Sequence, residues 1–178
     1  MRIGKLRHRL VDLAGGQAAL SGTMVATEVL GKLTSATRLS DTATLAFLDF
    51  DGVKFASTLF LREAVFGFHV YARQCLPNVY PVIANLPSFI AEEIDHFCHV
   101  YGDAFWICEL DVNDRVLCPR LLCGLNPIQS DVFEAVIALG DKTSSELVVR
   151  LAGQGIQPAW SDKLSALSTT KALLVKYE

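Results

Sequence analysis

The residues best suited to chemistry in this chain are a hydroxyl pair, Ser57-Thr58, that follows a short apolar run, Leu45 to Phe50, punctuated by Asp49 and closed by Asp51-Gly52. A hydroxyl pair in that place has two uses. It can cap a helix by accepting from its orphan N–H groups, or stand as a modifiable position beside the positive end of the helix dipole. A nucleophile would also need a base. The strand ends of an α/β chain would supply one, and here they offer Asp49, Asp51, Asn85, Glu109 and Asp111, with no histidine or lysine in a recognisable nucleophile motif beside the pair. The expectation is a protein that is not an enzyme, with a hydroxyl-based enzyme as an alternative. A metal set of His96, Cys98 and His99, with Cys118 and Cys123 downstream, fails on geometry, because positions 96, 98 and 99 cannot all face one point on a helix. No cofactor is expected either. A phosphate-cradling loop ending in Lys-Ser/Thr and the three-glycine dinucleotide fingerprint are both missing from the sequence. Glu92, Glu93 and Asp95 read as the solvated face of a helix, since adjacent positions diverge by about 100°.

The elements that must position the hydroxyls follow from the hydrophobic period. Leu45 to Phe50 reads as a buried strand, and Phe60, Leu61, Ala64, Val65, Phe68 and Tyr71 recur at helical spacing, with Ser57-Thr58 at the N-cap and Arg62 and Glu63 opposite. Val79 to Leu86 and Ala104 to Leu110 are further apolar strands, separated by a helix that Pro87-Ser88 opens and Gly102 stops. Arg115 to Leu122 reads as a fourth across the turn Asp111 to Asp114. Upstream, Ala18 to Leu33 is a helix, and Met1 to Leu13, with Arg2, Lys5, Arg7, His8 and Arg9, is either a charge-protected edge strand or a phosphate-contacting basic arm. Strands alternating with helices imply an α/β fold: a mostly parallel, doubly wound sheet covered on both faces.

Composition narrows the class. Hydrophobic residues make up 51 % and charged residues 20 % of the chain, and no apolar run approaches the roughly 18 residues of a membrane span. A formal net charge of -3 excludes a uniformly basic nucleic-acid binder. The five cysteines lie mostly in apolar segments, which points to reduced thiols, and no apolar signal region follows the basic N-terminus. A cytoplasmic location is the expectation.

The pattern LDFDGVKFASTLFLRE resembles the strand-loop-helix of STAS domains (sulphate transporter and anti-sigma-factor antagonist domains), and more closely a STAS-like bacterial family with the pattern "DF-x-G-V-x-x-x-S-x-x-F". The match is carried by Asp49, Phe50, Gly52, Val53, Ser57 and Phe60, and GGQAALSGTMVATEVLGKL resembles that family's glycine-started first helix, so that the likeness spans residues 1–125. The resemblance implies a STAS-like sheet flanked by helices and a regulatory role through protein-protein interaction, often with a GHKL-type ATPase or kinase. It also implies that Ser57, Thr58 and Arg62 form a partner-binding or modification surface. Ala56 and Leu59 stand where phosphorylated STAS proteins carry an acidic residue and a glycine, which favours the partner-binding role.

Asn126-Pro127 marks a boundary, and residues 127–178 read as a second module. Val132 to Leu139 is helical, Thr143 to Glu146 resembles a capping box, Pro158 opens a third helix, and Ala172 to Tyr177 alternates as a strand. This order resembles a winged helix-turn-helix. As a DNA-binding unit it would present Gln157, Ser161, Asp162, Lys163, Ser165, Thr169, Thr170 and Lys171 to a major groove, making a transcriptional regulator the main alternative function. From Pro127 on, five basic residues (Lys142, Arg150, Lys163, Lys171, Lys176) against six acids (Asp131, Glu134, Asp141, Glu146, Asp162, Glu178) leave a net charge of -1, so phosphate contacts would be few unless a homodimer or the basic arm supplied them. A winged-helix core places Trp160 against Leu147, Leu151 and Leu164. Trp160→Ala is then expected to cost about 3 to 5 kcal/mol, measured by chemical denaturation, and an unchanged midpoint refutes that packing.

Overall fold

The computed structural model of the protein describes residues 3–123. The second module, with Trp160 and the DNA-facing candidates Gln157, Ser161, Lys163, Thr169, Thr170 and Lys171, lies outside the described residues. The described chain runs β1 (Gly4–Arg9), α1 (Leu10–Leu13), β2 (Ala19–Leu20), α2 (Thr23–Ala36), β3 (Thr44–Asp49), β4 (Phe55–Ala56) and α3 (Thr58–Phe60), then a π-helical segment (Leu61–Phe66), α4 (Gly67–Cys75), β5 (Val79–Ala84), α5 (Ser88–Tyr101), β6 (Ala104–Leu110) and β7 (Val116–Cys123). Five strands form one mixed sheet in the order β1-β3-β5-β6-β7, in which the first four are parallel and β7 returns antiparallel. The three central apolar runs are therefore adjacent, as strands without a polar face must be. β2 and β4 pair in a separate two-stranded ribbon that the sequence reading did not foresee, because two residues carry no period.

One expectation is corrected. The parallel strands stand in chain order with no reversal, and every described helix joins a single core on one face, packed on Ala46, Leu48, Val79, Ile83, Phe105 and Ile107. The sheet is not doubly wound among the described residues, and it has no topological switch point with its ligand-binding crevice. On the other face Phe47, Val82, Ala84 and Cys108 form a second cluster with Leu45, Trp106, Leu110 and Val116, all of them strand residues.

The basic N-terminal stretch is an edge strand followed by a short helix, with Lys5, Arg7 and Arg9 pointing to that second face. At the other edge β7 carries a bulge. Its register against β6 shifts between Ile107 and Glu109, where Cys118 takes a left-handed φ of 47° just before Pro119.

The central helix runs unbroken from Thr58 to Cys75, with the wide turn Leu61–Phe66 in its middle. That turn changes which side chains face inward. Phe66, which helical spacing left out, is buried edge-on against Phe97 and Phe105, while Tyr71, which the spacing placed inward, is only half-buried. Gly67 lets α2 approach, since a Cβ there would meet Leu30 at 3.3 Å. Gly102 closes α5 with φ 61°, as expected of a helix stop.

Two buried polar pairs tie elements together. His8 Nε2 lies 3.0 Å from Thr37 Oγ1, joining β1 to the end of α2. His69 Nε2 lies 3.2 Å from Asp103 Oδ1, and Arg73 Nη1 is 3.1 Å from the same carboxylate. Burial pushes the Asp103 carboxyl up, but the His69 hydrogen bond and charge, the Ala104 N–H and Arg73 outweigh it and hold it below the usual range. A carboxylate whose folded pKa lies below its unfolded value stabilises the fold above the unfolded pKa, and that contribution disappears as pH falls through the folded value. Asp103→Asn is expected to cost about 3 to 5 kcal/mol at pH 7, because it removes the buried carboxylate that both His69 and the part-buried Arg73 bond. The gap to wild type should narrow below about pH 4. Urea midpoints at pH 7 and pH 3 check this, and a gap independent of pH refutes it.

Candidate functional site

The charged groups at the C-terminal ends of the strands converge on one carboxylate. Asp49 ends β3 fully buried, at 0 % exposure. Its Oδ2 accepts from Arg7 Nε at 2.8 Å and lies 2.8 Å from Arg7 Nη2, while its Oδ1 accepts from Asp51 N at 2.9 Å and Asn85 Nδ2 at 2.7 Å. Asn85 follows β5 in a left-handed conformation, φ 53°. From there its N–H donates to Cys108 O at 2.9 Å and its Oδ1 accepts from Leu110 N at 3.0 Å, so one side chain clasps the ends of three strands. Arg7 also pairs with Asp114, and Lys5 Nζ donates to Asp114 O at 3.1 Å, which draws the turn between β6 and β7 across to β1. Arg9 pairs with Asp51 at 3.3 Å and Asp12 at 3.6 Å.

This arrangement holds charge at the strand ends. The Asp49 hydrogen bond raises the Arg7 pKa, burial opposes it, and Asp114 adds to the rise, so the guanidinium stays charged. Both Asp49 oxygens are occupied. Burial, then the charges of Asp49 and Glu109, push the neighbouring Cys108 thiol up to about 11, the opposite of an activated nucleophile. Asp111 is spent on its own turn, accepting from Asn113 N and Arg115 N at 2.8 Å each. The cations of β1, Lys5, Arg7 and Arg9, are likewise bonded within the fold.

The hydroxyl pair stands at the same end. Ser57 Oγ accepts from Phe60 N at 3.2 Å, the N-cap that the spacing predicts, and Ser57 N donates to Leu20 O at 2.9 Å. Thr58 Oγ1 donates to Glu93 Oε1 at 2.8 Å. Glu93 is therefore not simply part of a solvated face, as its neighbours suggested, but half-buried and bonded from α5 to the mouth of the central helix. Arg62 turns to Glu63, with both contacts near 3 Å, instead of joining the hydroxyls. The structure thus brings Ser57, Thr58 and Glu93 together and leaves Arg62 on the flank. His96 and His99 are exposed while Cys98 points into the core, and no group of three or more metal-ligating side chains occurs among the described residues.

Around this mouth the surface turns apolar. Phe55, two residues before Ser57, is 50 % exposed; Phe89, one helical turn before Glu93, is 56 % exposed; and Met24, in the first turn of α2, is 83 % exposed. Apolar spacing on its own gives no sign that these three side chains lie at the surface.

What the fold defines is a class: an α/β protein with a mostly parallel mixed sheet flanked by helices, in which no described helix is long and apolar enough to cross a membrane. No protein family, curated protein or solved structure was found to match the chain. The Asp49 cluster yields a stability prediction: Asp49→Asn is expected to cost about 3 to 5 kcal/mol, since it leaves Arg7 without its buried counter-charge. Equilibrium unfolding in urea measures it, and a loss under about 1 kcal/mol would show the cluster to be an exposed-type ion pair.

Proposed function

We propose that this is a non-enzymatic regulatory protein of STAS-like kind, acting through protein-protein contact at the end of the sheet where α2, α3 and α5 begin. The supporting observation is the exposure of Met24, Phe55 and Phe89 around the Ser57-Thr58 mouth, in a region whose charged and hydroxyl groups are already bonded to one another. Single exposed apolar side chains are ordinary. Three gathered at the start of three neighbouring helices are what a partner surface needs, an apolar centre with a polar rim. Thr58 and Glu93 supply the rim, and the partner is a protein that matches them with apolar side chains and a hydrogen-bond donor. The resemblance to STAS domains makes a GHKL-type ATPase or kinase the first candidate.

Phosphorylation of Thr58 would set a second negative group beside Glu93 and break this contact, a switch by repulsion and not by capture. The DNA-binding alternative places its residues in the second module and draws no support from β1, whose cations are bonded within the fold.

The proposal is tested by capture from the native cell with wild type, Thr58→Asp, and Phe55→Ser/Phe89→Ser, folding being checked by circular dichroism. The expected result is a partner held by wild type and reduced about tenfold or more, some 1.4 kcal/mol, in both variants. Equal recovery by all three places the interaction elsewhere.

A further inference from the structure

The second face of the sheet is buried without a described layer to bury it. Phe47, Val82, Ala84 and Cys108 are 0 to 6 % exposed, yet no helix residue belongs to their cluster, and of the connections only the β6–β7 turn reaches over it, at the strand C-terminal end. Leu45 and Trp106, nearer the other end, are only half-buried. A sheet with an apolar face closes a core only against a second layer.

We propose that residues 124–178 are that layer: the C-terminal segment docks on the sheet face of Phe47, Val82 and Trp106, making one cooperative unit of a chain whose sequence reads as two modules. Reach permits it. β7 ends at Cys123, opposite Ala104, at the same end as the half-buried Leu45 and Trp106. The seven residues Gly124 to Ser130 span up to about 23 to 25 Å when extended, against about 14 Å for the three strand spacings from β7 to β3. The segment that follows, VFEAVIAL from Val132 to Leu139, carries Val132, Phe133, Val136, Ile137 and Leu139 with the single charge Glu134. So apolar a stretch requires a surface.

The chain's only two tryptophans report on the two sides, Trp106 on the sheet face and Trp160 in the segment. In the full-length chain, Trp160→Phe and Trp106→Phe leave one reporter each for urea unfolding. The expected result is coincident midpoints that fall together, by about 0.5 to 1 M, when Leu45→Glu is added, and stay put with Leu39→Glu, an exposed position outside both clusters. A Trp160 transition that is separate and unmoved by Leu45→Glu overturns the proposal. So do midpoints that rise with protein concentration, which would mean a second copy covers the face. Should Leu45→Glu unfold the sheet outright, lysine cross-linking of the wild-type chain decides. Intramolecular links from Lys5 to Lys142, Lys163 or Lys171 support docking on this face, and links from Lys32 on α2 in their stead place the segment on the helical side.

Discussion

Burying a carboxylate is the constraint on which the rest of this structure depends. An ion such as Asp49, removed from water, costs several kcal/mol unless its oxygens are filled and its charge balanced. Arg7 from β1, Asn85 after β5 and the backbone N–H of Asp51 meet that demand together. None of them can shift by one residue without leaving Asp49 unpaired, so the carboxylate fixes the register of three strands at the end where the helices start. Hydrophobic burial alone would not do so, since strands buried on both faces tolerate slippage more readily than strands with one polar side.

The same cluster also shapes the connections. With Arg7 held by Asp49, its remaining donor and that of Lys5 collect the β6–β7 turn, and this turn brings Leu110 and Val116 against Phe47 and Val82. The hydroxyl end is organised separately. Glu93 reaches from α5 to Thr58, so the mouth of the central helix is tied to its neighbour by a side-chain hydrogen bond.

What the sequence shows plainly is whatever rests on local chemistry. The three central strands, the Ser57 cap and the Gly102 stop follow from period and from residue types that satisfy backbone groups within a few positions. What it hides are pairings across the chain. Arg7 and Asp49 are 42 positions apart and Arg7 and Asp114 are 107 apart, and no local pattern tells a cation which acid it will meet. The alternation Lys5, Arg7, Arg9 beside a strand ending in Asp49 was the available signal, and it reads equally well as a solvated edge. Glu93 was misread for the same reason: its bond to Thr58 depends on how α5 settles beside α3. The one-sided placing of helices was hidden differently, because strand order is a property of the assembled sheet and not of any segment.

The two edges of the sheet carry one more consequence. Pro119 has no N–H to give a neighbouring strand, and the left-handed Cys118 bends β7 away from a straight template, while β1 at the opposite edge alternates apolar residues with Lys5, Arg7 and Arg9. A strand arriving at either edge meets a broken ladder or a row of cations. Among the described residues, then, a strongly apolar sheet has both of its edges made unfavourable for joining strand to strand, the local feature that discourages growth into a fibre.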